Sequence, residues 1–316
     1  MTAGGGGRAV CAALNPALDI TYVSERFVVG EANRVSRVHA QAGGKAINVA
    51  RLLHQAGHDV VVTGFVGGLI GDEIVEHLDE WAVPHCLVRC AADSRRTVSA
   101  FSTEDAAVTA YNESGPPIAG AEWERFTDGF AKLIHGASGV VLSGSLPAGL
   151  PVDAYRTLVG LAADSGYDTF VDAHAAPLLA AIAAKPALVK PNEHELAEAA
   201  GLAVPVALPA AVHAARQLLA DGAQGVVVSL GARGLLGVLP EMSLLAAAPT
   251  QRGNPVGAGD AAFAALVQGH LTGQPWPDRL RRAAAMSAAA VRQPVAGVVH
   301  AEDVAELEAL ITVSEL

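Results

Sequence analysis

Residues 139–190 read GVVLSGSLPAGLPVDAYRTLVGLAADSGYDTFVDAHAAPLLAAIAAKPALVK. Three short apolar runs, 139–143, 167–172 and 187–190, alternate here with two stretches, 152–164 and 177–183, whose apolar residues recur at helical spacing. Strands that alternate with helices in this way predict a parallel sheet covered by helices on both faces. The rhythm continues outward. A helix is expected at 121–134 on one side, then helices at 193–200 and 209–220 and a strand at 225–230 on the other. Two short strands at 234–239 and 243–248, a loop at 249–256, and helices at 258–272, 277–291 and 302–311 complete that half. In open α/β sheets ligands bind beyond the carboxyl ends of the strands, so the loops that follow strands hold the candidate chemistry.

Upstream, Ala9–Leu14 reads as a strand that ends at the turn signal Asn15-Pro16. A helix over 46–56 follows Gly43-Gly44, a buried strand covers 60–66, and a helix covers 74–82. Residues 20–41 are polar and β-branched without helical period. Residues 97–111 alternate around Thr103-Glu104-Asp105 as a hairpin would. Together these two segments predict a small accessory sheet outside the main core.

The chain has 316 residues, 51% of them hydrophobic and 17% charged, which excludes a disordered chain. Its formal net charge is −11 and no basic run reaches five residues, so an electrostatic grip on nucleic acid or anionic lipid is not expected. Ala199–Val212 is too short to span a bilayer and carries Pro205 and Pro209. The first ten residues hold four glycines and one arginine in place of an apolar leader core, and a soluble, cytoplasmic protein is expected. Cys11, Cys86 and Cys90 are an odd count with no second Cys/His pair for zinc, and read as plain thiols. Four lysines, Lys45, Lys132, Lys185 and Lys190, stand against seventeen arginines.

Gly257-Ala258-Gly259-Asp260 opens an apolar helix. Glycines there let backbone N–H groups converge on an anion at the positive helix end, with the Asp260 carboxylate beside it to accept a proton. Taken alone, the same residues also suit a plain turn and helix start, and Gly257, Gly259 and Ala262 satisfy GxGxxA, although Pro255 interrupts the approach. Gly43-Gly44-Lys45 is not a P-loop, because His39 and Ala46 occupy positions where glycine and a hydroxyl residue are needed. The glycines serve equally as a hinge or a close-approach point, with Lys45 a point charge for phosphate or a solvated turn residue. Lys190-Pro191-Asn192 with Glu195 opens another helix, placing two oxygen side chains on one face. That arrangement suits Mg²⁺ held through water, and equally a helix cap. His194 within this motif reads as a helix-surface residue.

In combination, GGKAINVARLL (43–53), KPNEHE (190–195), SLGARG (229–234) and NPVGAGDAAFAAL (254–266) resemble the ribokinase-like sugar kinases of the phosphofructokinase B family. ALNPALDIT (13–21), GEANRV (30–35) and SGSLPAGLP (143–151) resemble the branch with 1-phosphofructokinase and tagatose-6-phosphate kinase. The resemblance implies a single ribokinase-like kinase domain over 1–316, an α/β fold with a three-layer αβα core, a mainly parallel sheet and a small β lid. The lid strands fall within 20–41 and 97–112. It implies ATP and Mg²⁺ as cofactors, a small sugar phosphate as partner, and pairing of two copies through their lids.

Carried over by position, Asp260 is the catalytic base and Gly257, Ala258 and Gly259 form the anion hole. Asp19, Gly43, Gly44 and Asn48 match sugar contacts, and Lys45 and Arg95 match contacts to the substrate's existing phosphate, with Arg96 an adjacent competitor. Lys190, Asn192, Ser229 and Gly231 match nucleotide-binding positions, and Asn192 and Glu195 the pair that organises Mg²⁺ largely through water. Three departures stand out: Ala46 where glycine is usual, Ala261 where many relatives have serine, and Asn254-Pro255 for the commoner Asp-Thr, a pair similar to tagatose-6-phosphate kinases. The implied reaction is ATP-dependent phosphorylation of a ketohexose monophosphate, foremost fructose 1-phosphate to fructose 1,6-bisphosphate. Tagatose 6-phosphate or fructose 6-phosphate is the alternative acceptor, and another sugar kinase or a non-catalytic sensor the more distant one.

Overall fold

The computed structural model describes residues 7–316. Of the N-terminal stretch read above as lacking a leader core, residues 1–6 lie outside that range. The first third holds strands β1 (Arg8–Ala13), β2 (Ala17–Ser24) and β3 (Arg37–Gly43), helix α1 (Lys45–Gln55), β4 (Val60–Val66), α2 (Gly68–Glu80), β5 (His85–Arg89), β6 (Arg95–Ser102) and β7 (Val108–Asn112). The alternating stretch then supplies α3 (Gly120–Leu133), β8 (Ala137–Ser143), α4 (Ala154–Asp164), β9 (Thr169–Asp172), α5 (Ala175–Ile182), β10 (Leu188–Val189), α6 (Glu193–Ala200), α7 (Leu208–Ala220) and β11 (Val226–Ser229). After a single 3₁₀ turn at Gly231–Arg233 come β12 (Leu235–Val238), β13 (Ser243–Ala247), α8 (Ala258–Leu271), α9 (Trp276–Val291), α10 (Ala301–Glu308) and β14 (Thr312–Glu315).

Ten strands form the central sheet in the order β14-β13-β12-β11-β10-β9-β8-β1-β4-β5. From β5 to β11 every pairing is parallel, as the alternation predicted. Beyond β11 the pairings turn antiparallel: β11, β12 and β13 follow one another through short turns instead of crossover helices, and β14 returns after α8, α9 and α10 to pair antiparallel with β13. Successive strand residues bury on opposite faces: Cys11 and Ala13 pack with α1, α8 and α9, while Val10 and Ala12 pack with α3 and α4. Burial on both sides is why these strands are continuously apolar in sequence.

Two strands escaped the sequence reading. β5 and β14 are the sheet's edges, carry no buried residue, and lack an apolar run to announce them. The helix expected at 302–311 stops at Glu308, and that expected at 74–82 begins earlier, at Gly68, because its first turn exposes Leu69 and adds nothing to the apolar period.

A four-stranded accessory sheet forms in the order β3-β2-β6-β7, its strands beginning at Ala17 and Arg95 and reaching Gly43, beyond the 20–41 and 97–112 read from the sequence. Its registers place Asp19, Arg95, Thr97, Ser99 and Asn112 on one face, above the carboxyl ends of the central strands. Ile20, Tyr22, Val38, Val98 and Tyr111 occupy the opposite face, with Val38 55% and Tyr111 65% exposed. A lid with a polar inner face and an apolar outer face follows from strict alternation along each strand.

Candidate active site

Helix α8 is buried nearly all round from Asp260 to Val267, so its amino end is fixed within the core. Gly257 caps it in the left-handed region at φ +83°, and a Cβ there would stand 2.6 Å from the Ala296 side chain. Gly259 differs. A Cβ on it would meet nothing nearer than Lys190 Nζ at 3.6 Å, so its bareness leaves open cavity and is not required by packing. First-turn amides of a helix have no intrahelical acceptor, although the Ala258 amide already donates to Pro255 O at 3.2 Å. The GxGxxA reading fails, because residues 248–257 separate β13 from α8 and no strand leads into the glycines.

Asp260 is buried at this helix start, where Asn48 Nδ2 donates to its Oδ2 at 2.8 Å. Burial, reinforced by the neighbouring Asp172 carboxylate, pushes its pKa up to about 7, against the opposing pull of Lys45, the Asn48 hydrogen bond and Lys190. Asp172 is the functional-looking residue that sequence reasoning missed. It ends β9, buried, with Lys45 Nζ 2.8 Å from Oδ1 and Lys190 Nζ 3.0 Å from Oδ2. Burial would raise this carboxyl, but Lys190 and Lys45 outweigh burial and hold it below the usual range. The signal available was an acid closing a strand read at 167–172, on the ligand-binding end of the sheet. For Lys45, burial is likewise outweighed, here by Asp172 and Glu195, and the ammonium is held above its ordinary value.

Asn192 and Glu195 cap α6 reciprocally: Asn192 N donates to Glu195 Oε2 at 2.7 Å and Glu195 N donates to Asn192 Oδ1 at 2.9 Å. The capping function left open by the sequence is therefore realised. It leaves Glu195 Oε1 facing Lys45 Nζ at 3.8 Å.

Two adjoining cavities meet at Gly259, Asn192 and Ser229. The larger, 780 Å³, lies under the lid and is lined by Asp19, Gly44, Lys45, Asn48, Arg95, Lys190, Glu195, Gly257 and Asp260. The smaller, 640 Å³, is lined by Gly231, Ala258 and the loop 248–253, with Asp105 and Ala106 of the β6–β7 hairpin reaching its wall. Gly43 lines neither. A Cβ on it would overlap the Asp19 carboxylate, so Gly43 makes room for a lining residue. Asp19 receives hydrogen bonds from Thr97 Oγ1 and from Gly44 N, and burial raises its pKa.

Arg95 and Arg96 point to opposite faces of the lid. Arg95 lines the large cavity, donating to Asn15 O and Glu113 O at 3.1 Å each, whereas Arg96 does not line it and has its guanidinium 3.7 Å from the Glu113 carboxylate. Asn15 and Ser143, also unflagged by sequence, line the same cavity with a buried side-chain oxygen apiece that has no partner. The three cysteines are free, and among the described residues no cluster of three or more His, Cys, Asp or Glu could hold a metal. No helix among those residues is long and apolar enough to cross a membrane.

A buried carboxylate at a glycine-rich helix start, beside two lysines in a lidded polar cavity that adjoins a second cavity, is an arrangement suited to phosphoryl transfer onto a hydroxyl. The profile described as pfkB family carbohydrate kinase matches residues 9–301. A Thermotoga maritima protein described as a possible 1-phosphofructokinase superposes with a TM-score of 0.90 at 25% identity, over 98% of this chain and 99% of that one. Escherichia coli phosphofructokinase-2 in complex with fructose-6-phosphate gives 0.85 at 25% identity, over 96% and 98%. The tetrameric inhibited form of that enzyme gives 0.87 at 25%, over 96% and 99%. This chain belongs to the pfkB family of carbohydrate kinases, with the ribokinase-like fold.

Proposed function

We propose that the protein transfers the terminal phosphoryl group of ATP to a free hydroxyl of a ketohexose monophosphate, with fructose 1-phosphate as acceptor and fructose 1,6-bisphosphate as product. The observation that carries this reading is the position of Asp260, with its raised pKa, in the wall of the cavity under the lid and next to Gly259, which both cavities share. The acceptor occupies the cavity beneath the lid, where Asp19 and Asn48 meet its hydroxyls and Arg95, with Lys45, its phosphate. The nucleotide occupies the cavity of Ser229 and Gly231, its phosphates directed to Lys190, Asn192 and the α8 amides.

Asp260 takes the proton of the attacking hydroxyl, while the amino end of α8 at Gly257, Ala258 and Gly259 and the two ammonium groups offset charge on the phosphoryl oxygens in transit. Residues present near the junction fit a divalent ion held mainly by the donor's phosphates, because Glu195 keeps one oxygen free of its capping bond. Such an ion would be reached by Asn192 and Glu195 through water and would supply charge neutralisation.

Tagatose 6-phosphate and fructose 6-phosphate are the alternative acceptors, the latter suggested by the complex of the E. coli neighbour. We infer a cytoplasmic enzyme that pairs through the apolar outer face of its lid, where Val38 and Tyr111 are exposed. Incubation with ATP, Mg²⁺ and a panel of free and phosphorylated ketohexoses tests the assignment. Fructose 1-phosphate should give the highest kcat/KM, and a preference for an unphosphorylated sugar would overturn it.

A further inference from the structure

Asp172 takes no part in the transfer as described above, yet it lines the cavity under the lid with an ammonium group close to each carboxylate oxygen, although Oδ2 accepts no hydrogen bond. Lys45 Nζ is 2.8 Å from Oδ1 and Lys190 Nζ 3.0 Å from Oδ2. The two lysines arrive from distant places, Lys45 from the start of α1 and Lys190 from the end of β10. Lys190 Nζ lies beside Gly259 of the α8 amino end, and Lys45 has Glu195 as its second neighbour and feels the charge of Asp260. A carboxylate held between two cations, which keep it below the usual carboxylate range, is a poor acceptor for a substrate proton. Two flexible four-carbon side chains, conversely, act as preorganised charges only when something fixes their heads.

We propose that Asp172 is a positioning residue for phosphoryl transfer: it clamps the Lys45 and Lys190 ammonium groups in the cavity under the lid and keeps Lys45 from closing onto Asp260. The clamp's chemical purpose rests on the kinase reading, but the clamp itself belongs to the protein without substrates. Without Asp172, Lys45 would be left with Glu195 and Asp260 as partners, and pairing with Asp260 would occupy the base.

The chain's four lysines make the test direct, since ¹⁵N-detected ammonium signals can be assigned by single substitutions at Lys45, Lys132, Lys185 and Lys190. In the wild-type protein, Lys45 and Lys190 should give sharp, slowly exchanging ammonium signals. Asp172→Asn should broaden or remove them and lower kcat about 100-fold, with KM for both substrates within about threefold. A purely structural residue would lower stability and leave that kcat-against-KM split unmoved. The proposal is overturned if either signal is exchange-broadened in the wild type, or if Asp172→Asn leaves signals or kcat unchanged. Should Asp172→Asn not fold, the wild-type spectrum still decides. Absence of wild-type turnover on the whole sugar panel strikes the kinase reading, whereas the ammonium signals report on the clamp alone.

Discussion

Asp260 is buried and must nevertheless lose its proton to act as a base. With a pKa near 7, kcat/KM should fall about tenfold per unit as pH drops below that value. Asp260→Asn should lower kcat by about 10²–10⁴ and abolish this acid limb. The same burial bears on stability. The folded pKa lies above the ordinary 3.8, so the protonated group's contribution is full below about pH 4 and is lost as pH rises through about 7. Asp260→Asn should therefore resist denaturant better than wild type at pH 8, by roughly 1–3 kcal/mol, with the gain closing towards pH 4. Glu195→Gln separates two roles at one position. Glutamine preserves the capping box that Glu195 makes with Asn192, so the fold should hold, while the Mg²⁺ concentration for half-maximal rate rises if the lost charge faces the ion. Arg95→Ala should weaken kcat/KM for the monophosphate by roughly 1.5–3 kcal/mol with ATP affinity unmoved, and an unchanged preference over free fructose would remove Arg95 from the phosphate contact.

Helix α8 shows how an element can be demanded by its surroundings. Its residues from Asp260 to Val267 are buried almost without break, so it lacks the one-sided apolar stripe of a surface helix and is held between α1, α9 and the sheet. Small alanines on α8 and α9 let the two approach closely, which fixes the amino end that carries Asp260. Gly257 is the hinge of this arrangement. Gly257→Ala must adopt φ +83° and press its methyl on Ala296, so it should destabilise the protein by about 1–3 kcal/mol and cost more in kcat than in nucleotide affinity. Thermal melts alongside steady-state kinetics check both halves, and an alanine variant with wild-type Tm and kcat would show that the loop adapts freely.

At the scale of the whole molecule, the lid's two faces have opposite characters because its four strands keep one alternating register. The inner face supplies Asp19, Arg95 and Thr97 to the cavity, and the outer leaves Val38 and Tyr111 in contact with water. Tyr111→Glu places a charge on that face. It should shift the protein to monomer in light scattering and raise KM for the sugar phosphate, since an unpaired lid is less well held over its cavity. A wild-type protein that is already monomeric at micromolar concentration would remove lid pairing.

The central parallel sheet, the lid segments and the Asp260 loop were legible in the chain, because each depends on local pattern: buried parallel strands are apolar throughout, lid strands alternate, and glycines mark a helix start. Edge strands β5 and β14 were not, since a half-exposed edge needs no apolar run. Reciprocal capping by Asn192 and Glu195 follows from their spacing, but which oxygen remains free depends on where Lys45 lies. The choice between Arg95 and Arg96 rests on which lid face turns inward, and the exclusion of Gly43 from the cavity on the carboxylate beside it. Only the tertiary structure gathers Lys45 and Asp260 from two helix starts and Asp172 and Lys190 from the carboxyl ends of two strands around one cavity. Sequence patterns record periodicity over a few turns, whereas contacts between charged groups more than a hundred residues apart are set by how the sheet orders its strands.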